Sequence, residues 1–283
     1  MKVYIITSAK MEELYIEDWV KYHLSIGIDK IIINDNNDDD YPVKLKDILK
    51  EYIDSDKVVI EYYYKDHILK SERRERELGL IYTWLYDKYK SEFDWAAKLD
   101  IDEYLEIPET NNDIKKFLIQ DKFKNYDTIL LSWIGKNIDD NLPEEYRLLY
   151  FPIPIQERCT NIKYTNSNHF KCIVKSLNKQ IILNHHIPFL SENKMCLTNG
   201  ISLQEALINK FCKYRKYNNK SHLCVNFNNA IKLSKYAYIN HYRHTTLEEE
   251  YYKHIKIFDT INKNIYDKKY KPRNLYKVYL NSK

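Results

Sequence analysis

Over the first 105 residues, four short apolar runs alternate with helical patterns, and that alternation leaves few folds open to the chain. The runs are Val3 to Thr7, Lys30 to Asn34, Val58 to Tyr62 and Trp95 to Leu105. Between them lie helical patterns over about Met11 to Ser25, Val43 to Ile53 and Ser71 to Tyr89, the last with Leu78, Ile81 and Leu85 at helical spacing. Gly27 stands where a helix terminator is expected. The consecutive isoleucines Ile31, Ile32 and Ile33 imply a strand buried on both faces. Strands alternating with helices predict a mostly parallel sheet with right-handed crossovers, half of a nucleotide-binding α/β fold.

The fourth run ends in acid. Trp95-Ala96-Ala97-Lys98-Leu99 leads into Asp100-Ile101-Asp102-Glu103. In an extended chain residues i and i+2 share a face, so Asp100 and Asp102 are expected to project together while Ile101 points into the core. Two carboxylates that close repel unless a cation or a shared proton lies between them. Mg²⁺ and Mn²⁺ take oxygen ligands, and one or two carboxylates plus substrate phosphates suffice. A D-x-D triplet alone occurs by chance on many surfaces. Its setting, at the end of an apolar strand after a long helix, is where open α/β sheets bind ligands.

Beyond Leu105 the pattern loosens. A helix near Asp113 to Gln120 and a strand near Thr128 to Trp133 are expected, then a loop with short strands over Lys136 to Thr160, which holds Pro143, Pro152 and Pro154. His169 to Lys175 and Gln180 to Asn184 read as paired strands turning at Leu177-Asn178-Lys179, followed by His185-His186. A helix over Leu203 to Tyr217, a weak strand over Tyr236 to Asn240 and a last helix from Thr245 or Thr246, with a capping-box glutamate three residues on, complete the expectation. No internal repeat or Pro/Ser-rich linker divides the chain.

Composition excludes more than it selects. With 44% apolar and 30% charged residues the chain carries a substantial core. The 27 tyrosines sit beside many Lys, Asn and Ile, a bias that a base composition rich in A and T accounts for. A net charge of +4 is too balanced to argue for nucleic acid. Nine Lys or Arg against two Asp from Lys253 to Lys283 make a basic tail suited to an anionic membrane surface or simply to solvent. Five cysteines without a C-x-x-C argue against a disulfide framework or zinc ribbon and fit a reducing, cytoplasmic compartment. The N-terminal run is too short for a signal peptide, and no run of 18 apolar residues occurs. Only Gly27, Gly79, Gly135 and Gly200 are present, so neither a P-loop nor G-x-G-x-x-G can be written, and H-E-x-x-H and G-x-S-x-G are missing too.

The motifs in order resemble a family. Lys10-Met11-Glu12-Glu13, Trp19, Tyr22-His23-Leu24, Gly27-Ile28-Asp29 and Ile33-Asn34-Asp35-Asn36 resemble the opening of glycosyltransferases of the family 2 / family 92 type. Leu99 to Leu105 is similar to their D-x-D-E-[FY] strand end. Phe170 to Lys175 and His185-His186 resemble their later lysine and histidine segments, and Asn240 to Lys253 their terminal H-Y-x-x-K-S-x-E-E-F-x-x-K helix. Met11 stands where that family usually has Asn, and Thr245 where it has Lys. Gly135 to Thr160 departs most, and acceptor recognition is expected there.

The resemblance implies a GT-A fold: a mostly parallel Rossmann-like sheet flanked by helices, in one large domain (1–240) with a C-terminal helical segment and basic tail (241–283). Residues 1–107 would form the nucleotide-sugar half and 108–240 the acceptor side. It implies a nucleotide-sugar donor, UDP-linked, a glycan or lipid-linked glycan acceptor and a divalent metal, Mn²⁺ or Mg²⁺. Asp102 is the expected direct ligand, with Asp100 on metal or ribose, and His185 or His186 completing the shell or contacting the diphosphate. Thr7, Lys10, Glu12 and Asp35, at the ends of the first two strands, would cradle base and ribose. Arg76 and Lys171 are candidates for donor phosphates, Arg76 as one of three arginines (with Arg73 and Arg74) that equally suit a solvated helical face. His241 to His244 are expected to be structural or to contact the diphosphate. An inverting mechanism needs one carboxylate base, for which Glu144, Glu145 and Glu157 are candidates only by lying in the divergent stretch. Two other readings stay open: a metal-dependent nucleotidyltransferase using the same acids, and a non-catalytic glycan- or nucleotide-binding module.

Overall fold

A computed structural model describes residues 1–37, 41–63, 74–139, 141–142, 154–163, 168–177, 179, 181–183, 186–188, 190–217 and 220–244. The first half runs β1 (Val3–Ala9), α1 (Ile16–Ser25), β2 (Lys30–Asp35), α2 (Leu45–Ile48), α3 (Lys50–Asp54), β3 (Val58–Glu61), α4 (Arg74–Tyr89) and β4 (Trp95–Lys98). The rest runs β5 (Glu103–Glu106), α5 (Ile114–Leu118), β6 (Thr128–Asn137), α6 (Ile155–Arg158), β7 (Asn161–Lys163), β8 (Phe170–Lys175), β9 (Met195–Leu197), α7 (Leu203–Ile208), β10 (Cys212–Tyr217), β11 (Lys220–Val225), α8 (Phe227–Ser234) and β12 (Tyr238–His244).

The main sheet has the order β3-β2-β1-β4-β8-β6-β12-β5, with β7 and β9 also paired to β6. Its first four strands are all parallel. From β8 onward the sheet is mixed: β8 is antiparallel to β4 and β6, β12 is parallel to β6, and β5 is antiparallel to β12. The α/β expectation therefore holds, with the all-parallel run of strands in the first half and parallel pairs to β6 from β9 and β12 within the mixed part. The described helices include none long and apolar enough to cross a membrane. All five cysteines are free and buried.

Strand alternation builds the layers. Val3 and Ile5 of β1, with Ile31 and Ile33 of β2, pack with Ile16, Trp19 and Val20 of α1. Tyr4 and Ile6, with Ile32, pack with Ile81, Tyr82, Leu85 and Tyr86 of α4 on the opposite face. A third cluster, including Leu130, Phe170, Leu203, Val225 and Leu233, joins α7, α8 and the β10–β11 hairpin to the middle of the sheet. Gly27 ends α1 at φ 99°, with its own N–H on Leu24 O and that of Ile28 on His23 O, a left-handed cap that glycine makes without strain.

Several elements differ from the expectation. The run from Trp95 to Leu105 is not one strand: β4 stops at Lys98, and Asp100 to Glu103 form a tight turn closed by Glu103 N–H to Asp100 O at 3.1 Å. The expected helix over Leu203 to Tyr217 ends at Ile208, and Cys212 to Tyr217 is a strand. Lys210 adopts φ 55°, the N–H groups of Lys210 and Phe211 return to Leu207 O and Ala206 O, and the helix closes without glycine. β8 pairs with β4 and β6, and the described part of the segment after it contributes only an isolated bridge, Leu183 to Pro188. The last helix and the basic tail lie outside the described residues.

Candidate active site

The acid turn stands just past the C-terminal end of β4, beside β1, with β2 on the other side of β1. Three devices hold it. Glu103 is wholly buried and turns its Oε2 back onto the Asp100 N–H at 2.9 Å. The indole of Trp19 donates to Glu103 O at 2.7 Å. Tyr242 N–H, from β12, donates to Asp102 O at 2.9 Å. Beneath the turn, His23 donates from Nδ1 to Trp19 O and accepts the Leu105 N–H on Nε2. Those two bonds fix a neutral tautomer, and burial pulls the His23 imidazole down to about 3.

The two aspartates serve different neighbours. Asp100 accepts Tyr82 O–H on Oδ1 at 2.9 Å and Lys171 Nζ on Oδ2 at 2.6 Å. Tyr82 comes from α4 and Lys171 from β8, so the carboxylate is clamped between helix and sheet. Asp102 lies 3.7 Å from His241 Nε2, and His241 is the cross-strand partner of Glu103 in the β5–β12 pair. The His241 ring stacks on Trp133 at 4.3 Å. The side chains of Asp100 and Asp102 remain partly exposed, at 29% and 23%. Ile101 points into the core, as the sequence suggested.

A buried charge network underlies the turn. Lys171 is wholly buried, 2.6 Å from Asp100 and 3.4 Å from Glu103. Burial opposes its charge, but Asp100 and Glu103 outweigh that cost and raise the ammonium above its ordinary range. Burial pushes the Glu103 carboxyl up against Lys171, and Asp100 and Asp102 push the same way. Lys98 Nζ sits 4.2 Å from the Tyr82 ring centre and is pulled down to about 7 by burial and then by Lys171.

The remaining sequence candidates lie on several elements, with Lys10 following Ala9, the register partner of Asp35. Thr7 is buried within β1, and its hydroxyl oxygen has no hydrogen-bond partner among the described residues. Asp35 closes β2 and accepts the Asn37 N–H. Lys10 and Glu12 follow β1, with the Glu12 carbonyl accepting the Tyr15 and Ile16 N–H groups that open α1. Arg76 lies in the first turn of α4. His186 meets Trp133, His169 and His222, and Trp133 in turn stacks on His241 beside the acid turn. Glu157 is exposed on α6, and it forms no hydrogen bond or ion pair with the described residues of the turn. His185, Glu144 and Glu145 lie outside the described residues. Sequence reasoning did not single out Tyr82, and it gave His241 a structural or diphosphate-contact role without pairing it with Asp102. Tyr82 lies 18 residues from Asp100, and neither contact has a local signal.

A search of the curated proteins finds no match. Among solved structures, TarS of S. aureus overlaps over 62% of this chain and 28% of its own, at 17% identity and TM-score 0.36. A glycosyltransferase involved in glycosylation of the major capsid of PBCV-1 overlaps over 47% and 52%, at 15% identity and TM-score 0.25. Mannose-1-phosphate geranyltransferase of Thermus thermophilus overlaps over 63% and 51%, at 10% identity and TM-score 0.28. The chain thus spans about a quarter to a half of the structures it resembles, and with TM-scores this low none of them carries the assignment. The family model of glycosyltransferase family 92 matches residues 7–275, nearly the whole length. The chain belongs to glycosyltransferase family 92.

Proposed function

We propose that this enzyme moves a hexose or N-acetylhexosamine from a UDP-sugar to a surface glycan, such as a lipopolysaccharide, capsule or glycoprotein glycan, on a GT-A scaffold and with inversion at the anomeric carbon. The observation that carries the reading is the acid turn, held past the end of β4 beside β1, with Asp102 facing His241 at 3.7 Å. The ends of parallel strands in an open α/β sheet are where nucleotides are bound.

The donor set fits a hard divalent ion such as Mn²⁺ or Mg²⁺. Asp102 and His241 would supply an oxygen and a nitrogen, leaving the remaining positions to phosphates and water. Once bound, such an ion neutralises the leaving diphosphate as a Lewis acid. Asp100 has both oxygens engaged by Tyr82 and Lys171. It is therefore held rigid, to accept a hydrogen bond from a ribose hydroxyl or from metal-bound water. Lys171 and Glu103 act from below, fixing the turn that presents both aspartates. Lys10, Glu12 and Asp35 frame the base and ribose at the ends of β1 and β2, with Thr7 buried within β1 behind them. The general base is left to the divergent stretch that includes Glu144, Glu145 and Glu157. A cytoplasmic enzyme touching the membrane through its basic tail accords with this acceptor class.

The test is product analysis with a panel of UDP-sugars, Mn²⁺ and a glycan acceptor. Release of UDP with a new glycoside supports transfer of the sugar. Pyrophosphate would mean nucleotidyl transfer, and binding without turnover would mean a recognition module; either outcome refutes the proposal.

A further inference from the structure

A second cluster lies beyond Trp133. His169 precedes β8, His186 follows the Leu183 region, and His222 lies in β11. One ring nitrogen from each falls within 4.8 Å of the other two, and all three residues are half-buried. The rings of His169 and His186 stack at 4.9 Å, and that of His222 meets both edge-on, at 5.6 and 5.7 Å. Trp133 forms a wall, edge-on to His169 and His186, with its indole nitrogen buried and lacking a hydrogen-bond partner among the described residues. Among the described residues this is the group of three or more metal-ligating side chains brought within such reach.

Histidine ligates a metal through one ring nitrogen, and here three such nitrogens converge. A nitrogen-only set suits a borderline ion such as Zn²⁺ better than Mg²⁺ or Ca²⁺. Tetrahedral Zn–N bonds of about 2.0–2.1 Å put ligand nitrogens roughly 3.3 Å apart, so small rotations of half-buried rings close the group. Cys224 Sγ lies 3.8 Å from His169 Nδ1 and steadies that ring. The three histidines come from three chain segments. β11 also meets the segment before β8 through the Asn168 to Val225 bridge and packs on the sheet through the third apolar cluster.

We propose that His169, His186 and His222 bind a Zn²⁺-class ion that fastens the β10–β11 hairpin to the main sheet and keeps a fourth position open beside Trp133. Its ligands differ from the Asp102–His241 pair, although Trp133 touches both groups, stacking on His241 at 4.3 Å; the proposal stands whether or not the transferase reading holds.

The test is calorimetric titration of the chelator-treated full chain with ZnCl₂ and with MnCl₂. One tight Zn²⁺ per chain is expected, with any weaker second ion belonging to the Asp102–His241 pair. Affinity should fall about 100-fold or more in H222A and H169A and stay unchanged in D102N. Should the alanine variants fail to fold, Co²⁺ added to the wild-type chain gives a second measurement: the strong visible absorption of a four-coordinate site with three nitrogens and one solvent ligand is expected. No Zn²⁺ binding, Zn²⁺ binding lost in D102N but kept in H222A, or a weak six-coordinate Co²⁺ spectrum would each overturn the proposal.

Discussion

The ammonium of Lys171 lies 2.6 Å from Asp100 Oδ2 although the lysine side chain is wholly buried. Its cost of burial is offset only because Asp100 and Glu103 both face it. The presentation of the acid turn depends on this contact, and the turn's chemistry depends on that presentation.

Lys171→Met removes the cation and leaves Glu103 buried against Asp100. Breaking a buried pair by deleting one partner costs about 3–5 kcal/mol. Urea unfolding of the variant should show a loss of that order, with the m-value unchanged. A loss confined to surface-like values, under about 1 kcal/mol, would show that the network contributes little.

Tyr82→Phe deletes the hydroxyl that donates to Asp100 Oδ1. A hydrogen bond to a charged group is worth about 1.5–3 kcal/mol. The variant should lose about that much stability and should bind donor more weakly, because Asp100 is then held by Lys171 alone among these two partners. Denaturant unfolding together with the KM for donor checks both.

His23 gives a pH signature. Its folded pKa is pulled down to about 3 from an unfolded value of 6.5. Above 6.5 both states are neutral there and the residue adds no pH dependence. Below 6.5 the unfolded chain takes up a proton that the native state refuses, so stability falls as pH drops toward 3 and the effect levels off below that. The slope from this residue is at most about 1.4 kcal/mol per pH unit. The difference in unfolding free energy between wild type and H23N, followed from about pH 7.5 to about pH 4.5, should shrink steadily below about 6.5.

Gly200 has φ 87°, and a Cβ there would come within 2.8 Å of Lys122 Cβ. Gly200→Ala is therefore strained by backbone and contact together and should cost about 1–3 kcal/mol. A thermal melt with a Tm equal to wild type would show that the turn relaxes freely.

Much of the first half was legible in the sequence because its signals are local. Ile31 to Ile33 announced a strand covered on both faces, Gly27 announced the end of α1, and the spacing of Ile81 and Leu85 announced a helix. The second half is held by distant pairings that leave no period. The helix over Leu203 was extended too far because Lys210, not glycine, takes the left-handed cap. Two strand runs were read as partners of one another when each pairs elsewhere or not at all among the described residues. The aspartates themselves were visible, but His241 meets Asp102 only because β12 returns antiparallel to β5. Nothing local in either segment encodes that meeting. Nor does any motif link His169, His186 and His222.

The central claim is that Asp102, with His241, holds a divalent cation against the donor diphosphate. The most direct measurement is the rate of UDP release from the preferred UDP-sugar as Mn²⁺ is titrated, in wild type and in Asp102→Asn. The account predicts saturable Mn²⁺ activation in wild type, loss of activity in EDTA, and a fall in kcat/KM of about 100-fold or more in the variant, some 3 kcal/mol of transition-state stabilisation. Undiminished turnover by Asp102→Asn in EDTA would contradict it.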